Sequence, residues 1–189
     1  MSGFGAGGNG LLWRGERGIV DLSRLGDVFA QPTLNPLLAL GRAGWRQAID
    51  AARAHDGPTV QEPTKLPFDV ADYVDFYSSL EHATNMGRIF RPGGDPLVRS
   101  WRWLPIGYHG RAGTVVVSGT DVTRPNGQLG AGVFGPSQRL DIELELGFVV
   151  GVPTELGQTL GPGDFEDHVF PVSEAALNGN VPVLVVVRK

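Results

Sequence analysis

The stretch Leu140-Asp141-Ile142-Glu143-Leu144-Glu145-Leu146 alternates apolar and acidic residues without a break. A period of two is the side-chain period of a β-strand, whereas a helix repeats near 3.6. The strand therefore carries Leu140, Ile142, Leu144 and Leu146 on one face and Asp141, Glu143 and Glu145 on the other. The rest of the chain points the same way. Its 28 glycines and 14 prolines fill more than a fifth of the 189 positions. Such punctuation favours a turn-rich β protein over a helical bundle. With 41% hydrophobic and 19% charged residues, the chain has the means to form a core and does not read as disordered. The expected fold class is mainly β with minor helix.

Several functions are disfavoured at once. A net charge of −4 argues against nucleic acid as a partner. The absence of cysteine removes disulfides, thiolate metal sites and thiol nucleophiles. Residues Met1 to Gly10 hold five glycines and no basic head before an apolar stretch, so they do not read as a signal peptide. Gly3, Gly5 and Gly8 imitate a dinucleotide fingerprint, yet no strand precedes them, and a flexible N-terminus is the expectation. No apolar run approaches the roughly 18 residues that span a bilayer. A soluble, cytoplasmic protein is expected, with no membrane partner.

Along the chain, Leu11–Arg14 and Gly18–Leu22 read as a short hairpin. Asn35–His55 has helical periodicity through Leu37, Leu38, Leu40, Trp45, Ile49 and Ala52. Pro58, Pro63 and Pro67 then mark a link, and a domain boundary is placed near residue 67. Asp75–Met86 reads as partly helical with Gly87 as its C-terminal cap. Thr114–Ser118 is a β-branched run expected to form a buried strand.

Three stretches could carry chemistry. Same-face carboxylates on the alternating strand lie about 6.6–6.8 Å apart, within reach of one hard cation. A solvated acidic face explains the pattern equally simply. The second stretch runs from Asp75 through Tyr77, Ser78 and His82 to Arg91. It combines a carboxylate, a phenol, an imidazole able to act as base near neutral pH and a guanidinium able to clamp a carboxylate. Ser78 and His82 share a helical face, but the chain has no Gly-x-Ser-x-Gly elbow, which disfavours a serine hydrolase. The third, Trp101 to Arg111, is rich in aromatic and basic residues and could form a stacking platform. Gly107 and Gly110 flank Tyr108-His109 and suggest close backbone approach.

Together the motifs Asp75-Phe76-Tyr77-Ser78-Ser79, His82-Ala83-Thr84-Asn85, Leu104-Pro105-Ile106-Gly107-Tyr108-His109-Gly110-Arg111, Val115-Val116-Val117-Ser118-Gly119, Arg124-Pro125-Asn126-Gly127-Gln128 and Leu140–Glu145 resemble the fumarylacetoacetate hydrolase family. The resemblance is clear from Asp72 to Phe170. It implies a small SH3-like β-barrel, shortened here to residues 1–67 with its linker, followed by a β-rich catalytic domain from 68 to 189. It also implies metal-dependent hydrolysis of a carbon–carbon bond in 4-fumarylacetoacetate, a step of tyrosine and phenylalanine catabolism, giving fumarate and acetoacetate. Carried over by position, Asp75, Glu143 and Glu145 are implied metal ligands for calcium, with magnesium as a second implied ion. His82 is the implied proton acceptor, and Tyr77, Arg91 and Tyr108 the implied substrate contacts. Asp141 receives no role. The implied partners are a small dicarboxylate diketone substrate and a second copy of the chain in a homodimer.

The chain departs from the family after Asp167-His168-Val169-Phe170. The family continues into an Asn-Asp-Trp-Ser-Ala-Arg-Asp-type motif that supplies a further metal-ligating aspartate; here Pro171 to Lys189 reads differently. The expectation is an incomplete catalytic domain with a divergent tail at 171–189, from a truncated or frame-shifted gene. Activity is then expected only if the missing part is supplied. The alternative is a non-catalytic remnant that binds a divalent cation or a dicarboxylate.

Overall fold

Between Phe4 and Leu22 the apolar residues fall at alternate-strand and turn-bounded positions, and they form an antiparallel meander. The structure is a computed structural model that describes residues 3–61, 65–117, 119–138, 140–170 and 183–188. Strands β1 (Gly3–Ala6), β2 (Leu11–Gly15) and β3 (Gly18–Asp21) make one three-stranded sheet in that order. Phe4 pairs with Trp13, and Trp13 with Val20. The β2–β3 turn closes Gly15 on Gly18, whose φ of 109° suits a residue without a Cβ. The glycine-rich start is thus a strand and not the flexible segment expected. Phe4 anchors it edge-on against Trp13, at 4.9 Å between ring centroids, and Ala6 is buried.

The expected helix over 35–55 is broken in two, α1 (Asn35–Leu38) and α2 (Gly41–Ala54). Gly41 adopts a φ of 70°, which interrupts the helical path after Leu40. The break lets Trp45 fold back, fully buried, with Nε1 donating to the Leu38 carbonyl at 2.8 Å. Trp45, Ala48, Ile49 and Ala52 form the buried stripe of α2, at the i, i+3, i+4, i+7 spacing of a surface helix. They join Leu11, Val20, Leu22, Phe29, Leu34 and Leu37 in one core.

The chain divides into two compact units, one made of residues 1–69 and 116–189, the other of 70–115. In the second unit, β4 (Val74–Phe76) and β5 (Gly107–His109) pair antiparallel, with α3 (Leu80–Phe90) between them in sequence. Helix α3 runs through Gly87 instead of ending there. Gly87 is required for another reason: the Pro96 backbone lies where a Cβ would stand. The expected strand at 114–118 does not form. Ala112–Thr114 is a short 3-10 turn, Val115–Val117 is irregular with Val116 exposed, and Ser118 lies outside the described residues.

Within the first unit the chain continues as a hairpin of β6 (Asn126–Gly130) and β7 (Val133–Pro136). Strand β8 (Asp141–Leu146) follows, then β9 (Val149–Val150), the short α4 (Phe165–His168) and β10 (Val169–Phe170). β9 and β10 pair antiparallel, and Phe170 reaches the core, with its ring centroid 5.5 Å from that of Trp45. Gly151 permits this, since a Cβ there would stand 2.8 Å from both the Leu38 carbonyl oxygen and the Trp45 ring. β8 pairs antiparallel with β11 (Val183–Arg188), Glu145 opposite Leu184 and Glu143 opposite Val186. The alternating stretch is therefore a strand. Ile142, on its apolar side, is 69% exposed. A sheet of only two strands buries too little to cover it. Of the tail expected to diverge at 171–189, residues 171–182 and 189 lie outside the described residues.

The architecture is a set of small antiparallel sheets with some helix. Among the described residues no sheet closes on itself, so the SH3-like barrel implied for residues 1–67 is not formed. Three strands are too few to close, and α1 and α2 supply the core there instead.

Candidate functional site

Alternation along β4 and its flanks builds the site. Tyr73, Asp75 and Tyr77 are two residues apart, and strand geometry turns such residues to one face. Asp75 sits at the centre of β4, directly opposite Tyr108 in β5. It is only 8% exposed, one of two buried polar residues among those described. Burying a carboxylate is costly unless hydrogen bonds compensate. Two phenols do so: Tyr108 donates to Asp75 Oδ2 at 2.6 Å and Tyr73 to the same oxygen at 3.3 Å. Close pairing of the strands depends on Gly107, because a Cβ there would collide with the Asp75 carbonyl oxygen.

Tyr77 leaves the strand by donating its N–H to the Ile106 carbonyl at 2.8 Å. Ser79 then caps α3, its side chain accepting the His82 backbone N–H at 3.3 Å. This cap puts His82 in the first turn of the helix, where its ring meets that of Tyr77 edge-on at 5.6 Å. The Tyr77 hydroxyl donates to the Ala83 carbonyl at 3.2 Å. One short segment thus holds the phenol and the imidazole in contact. Arg91 follows the helix, exposed, and its guanidinium donates to the Pro96 carbonyl at 2.5 Å. Five N–H donors on a guanidinium leave it able to take further acceptors.

The sequence-selected residues therefore fall into two groups. Asp75, Tyr77, His82, Arg91 and Tyr108 lie in the unit of residues 70–115, where Asp75 touches Tyr108 and Tyr77 touches His82. Glu143 and Glu145 lie in the other unit, on β8; Glu145 is half-buried, and the side chains of Asp141 and Glu143 lie outside those described. Among the described residues no three acidic or histidine side chains converge as a metal-holding group. The donor chemistry still suits a hard cation, since a buried carboxylate fixed by two hydroxyls offers oxygen ligands of the kind calcium and magnesium take.

Two participants escaped the sequence reading. Tyr73 could have been found from its i, i+2 relation to Asp75. Trp101, read as part of a stacking platform, instead donates its Nε1–H to the Tyr77 carbonyl at 2.7 Å and ties the third stretch to the second. Trp103 is the exposed aromatic of that stretch. Only the register of folded segments twenty-four residues apart could reveal the Trp101 bond.

Residues 72–173 match the family described as fumarylacetoacetate (FAA) hydrolase, C-terminal. The chain is similar to a fumarylacetoacetase of Caenorhabditis elegans, 42% identical over 170 residues that cover 77% of this chain and 41% of that protein. The fumarylacetoacetase of Homo sapiens is 40% identical over 172 residues, covering 79% of this chain and 41% of its own length. That of Arabidopsis thaliana is 36% identical over 180 residues, covering 82% and 43% respectively. The chain thus spans about 41% of the length of the first curated relatives it matches.

Proposed function

The chain belongs to the fumarylacetoacetate hydrolase family, and from that premise we propose that it carries part of the machinery for hydrolysing the carbon–carbon bond of 4-fumarylacetoacetate to fumarate and acetoacetate. The observation that carries this reading is the folding of Asp75, Tyr77, His82 and Tyr108 into one unit, paired through the Asp75–Tyr108 hydrogen bond and the Tyr77–His82 ring contact. In this reading residue 68 onward is the first part of the catalytic domain, and residues 1–67 are a shortened N-terminal domain. The protein acts in the cytoplasm on a dicarboxylate diketone, as a homodimer once the catalytic domain is complete.

Asp75, Glu143 and Glu145 are the carboxylates that would hold a calcium or magnesium ion, which supplies polarisation of the diketone oxygens when bound. His82, in contact with the Tyr77 ring, takes a proton from a water molecule as its oxygen adds to the ketone carbon. Collapse of that adduct breaks the carbon–carbon bond; its electron pair leaves on the acetoacetate fragment as an enolate, which a proton then quenches. Arg91, Tyr77 and Tyr108 bind the carboxylate and oxygen groups of the substrate, so that the attack proceeds in a fixed geometry.

Supplied with the missing part of the catalytic domain, the chain is expected to consume fumarylacetoacetate in the presence of calcium or magnesium, and to lose at least about a hundredfold in rate in His82→Ala. Chelation of the ion abolishes turnover in the same assay. No turnover with both ions saturating overturns the catalytic reading and leaves binding of a divalent cation or dicarboxylate as the function.

A further inference from the structure

We propose that Tyr73 is a positioning residue for Asp75, its phenol joining that of Tyr108 on a single carboxylate oxygen so that the carboxylate plane is set for a hard cation. The proposal rests on the reading of Asp75 as a metal ligand and adds a residue to it. Its basis is local geometry. Tyr73 and Tyr108 approach Asp75 from two different segments, Tyr73 two residues back, just before β4, and Tyr108 from the middle of β5, directly across the β4–β5 pair. Both hydroxyls reach Oδ2, at 3.3 Å and 2.6 Å. Their rings lie 6.4 Å apart at 41°, within the range where aromatic pairs attract, so each steadies the other.

The Tyr73 N–H also donates to Asp72 Oδ1 at 2.7 Å. Packing against the Tyr108 ring favours the phenol staying on Asp75. A carboxylate held by donors on one oxygen has a defined orientation before any cation arrives. Ligand carboxylates in metal sites are oriented in this way, and loss of such a partner commonly costs about 10–100-fold in metal affinity. The 3.3 Å bond is the longer of the two and places Tyr73 at the lower end of that range.

The test is calcium titration of the full chain by calorimetry, comparing wild type, Tyr73→Phe, Tyr73→His and Asp75→Asn, with a thermal melt of each in calcium-free buffer. Tyr73→Phe, which keeps the ring and removes the hydroxyl, is expected to weaken calcium binding about tenfold while melting where wild type melts. Tyr73→His, which restores a ring donor, is expected to recover part of that loss, as a purely structural role would not allow. Should Tyr73→Phe fail to fold, Tyr108→Phe carries the test. In it Tyr73 is the remaining phenol of the pair, so calcium loading must shift the tyrosine ultraviolet band, and a loaded chain with an unshifted band overturns the proposal. Equal calcium affinity in wild type and folded Tyr73→Phe, with Asp75→Asn weakened, overturns the role of Tyr73 alone. Equal behaviour of wild type and Asp75→Asn, or no binding by wild type, overturns the metal reading of Asp75 and this proposal with it.

Discussion

Residues 3–69 and residues 70–115 are held together by different means. The first segment centres on the fully buried Trp45, Leu11, Leu22 and Leu37, with Phe29, Leu34 and Ile49 packed around them. In the second, Ala83 is the one buried apolar side chain among the described residues, while Phe76, Ile89, Phe90, Trp103 and Leu104 are exposed. What organises it is polar: the Asp75 hydrogen bonds, the Ser79 cap, the Trp101–Tyr77 bond and the Arg91–Pro96 bond. Hydrophobic burial is non-directional and tolerates rearrangement, whereas hydrogen bonds fix atoms at stated positions. The candidate catalytic groups lie in the segment held by the directional kind.

The sharpest way to break this comparison is to truncate one tryptophan in each segment. Trp45→Ala is expected to cost about 3–5 kcal/mol, from the cavity and the lost Leu38 hydrogen bond. Trp103→Ala, at a residue 82% exposed, is expected to change stability by no more than about 0.5 kcal/mol. Urea unfolding of both variants checks this, and equal losses would dissolve the contrast. A smaller but more diagnostic effect comes from two mid-helix glycines. Gly87→Ala in α3 is expected to destabilise by about 1–3 kcal/mol, because the Pro96 backbone occupies the space of the new methyl. Gly44→Ala in α2 places its methyl in collision with Leu40 Cβ, an atom fixed to the backbone, so it too is expected to destabilise, by about 1–3 kcal/mol. Losses at both sites are expected in paired thermal melts, and a gain at either refutes its steric reading.

An effect well below that at Trp45 is expected at Asp21. Burial acts to raise its carboxyl, but hydrogen bonds from the Ser23 side chain and N–H and from Asn9, with the charge of Arg24, outweigh burial and hold it below its ordinary value. A carboxyl depressed in the folded state adds stability above its unfolded value, near pH 4, and that stability fades as pH falls through the folded value. Asp21→Asn should therefore cost about 1 kcal/mol at neutral pH. The gap to wild type should close below about pH 4, as denaturant midpoints across pH would show.

The legible parts of this molecule are those where one local period decides. The 140–146 alternation forms a strand, and Trp45, Ile49 and Ala52 line the buried side of α2 as their spacing requires. Asp75, Tyr77 and His82 could be selected because their chemistry lies within eight residues of chain. Gly87 was misread because its local signal, a helix-ending glycine, is the same whether it caps a helix or makes room for Pro96. Thr114–Val117 has strand-forming residues but no partner strand among those described, and β-propensity without pairing does not make a strand.

By itself the sequence determined the family, the residue types of the site and the periodicity of its main elements, because each is written in adjacent or regularly spaced residues. Only tertiary structure decided that Tyr73 and Tyr108 meet on one oxygen of Asp75, that Trp101 holds Tyr77, and that Phe170 returns to pack on Trp45. These contacts join segments up to 125 residues apart in sequence, and their register depends on close backbone approaches at Gly107, which the sequence suggested without naming what approaches, and at Gly151, which no local pattern marks.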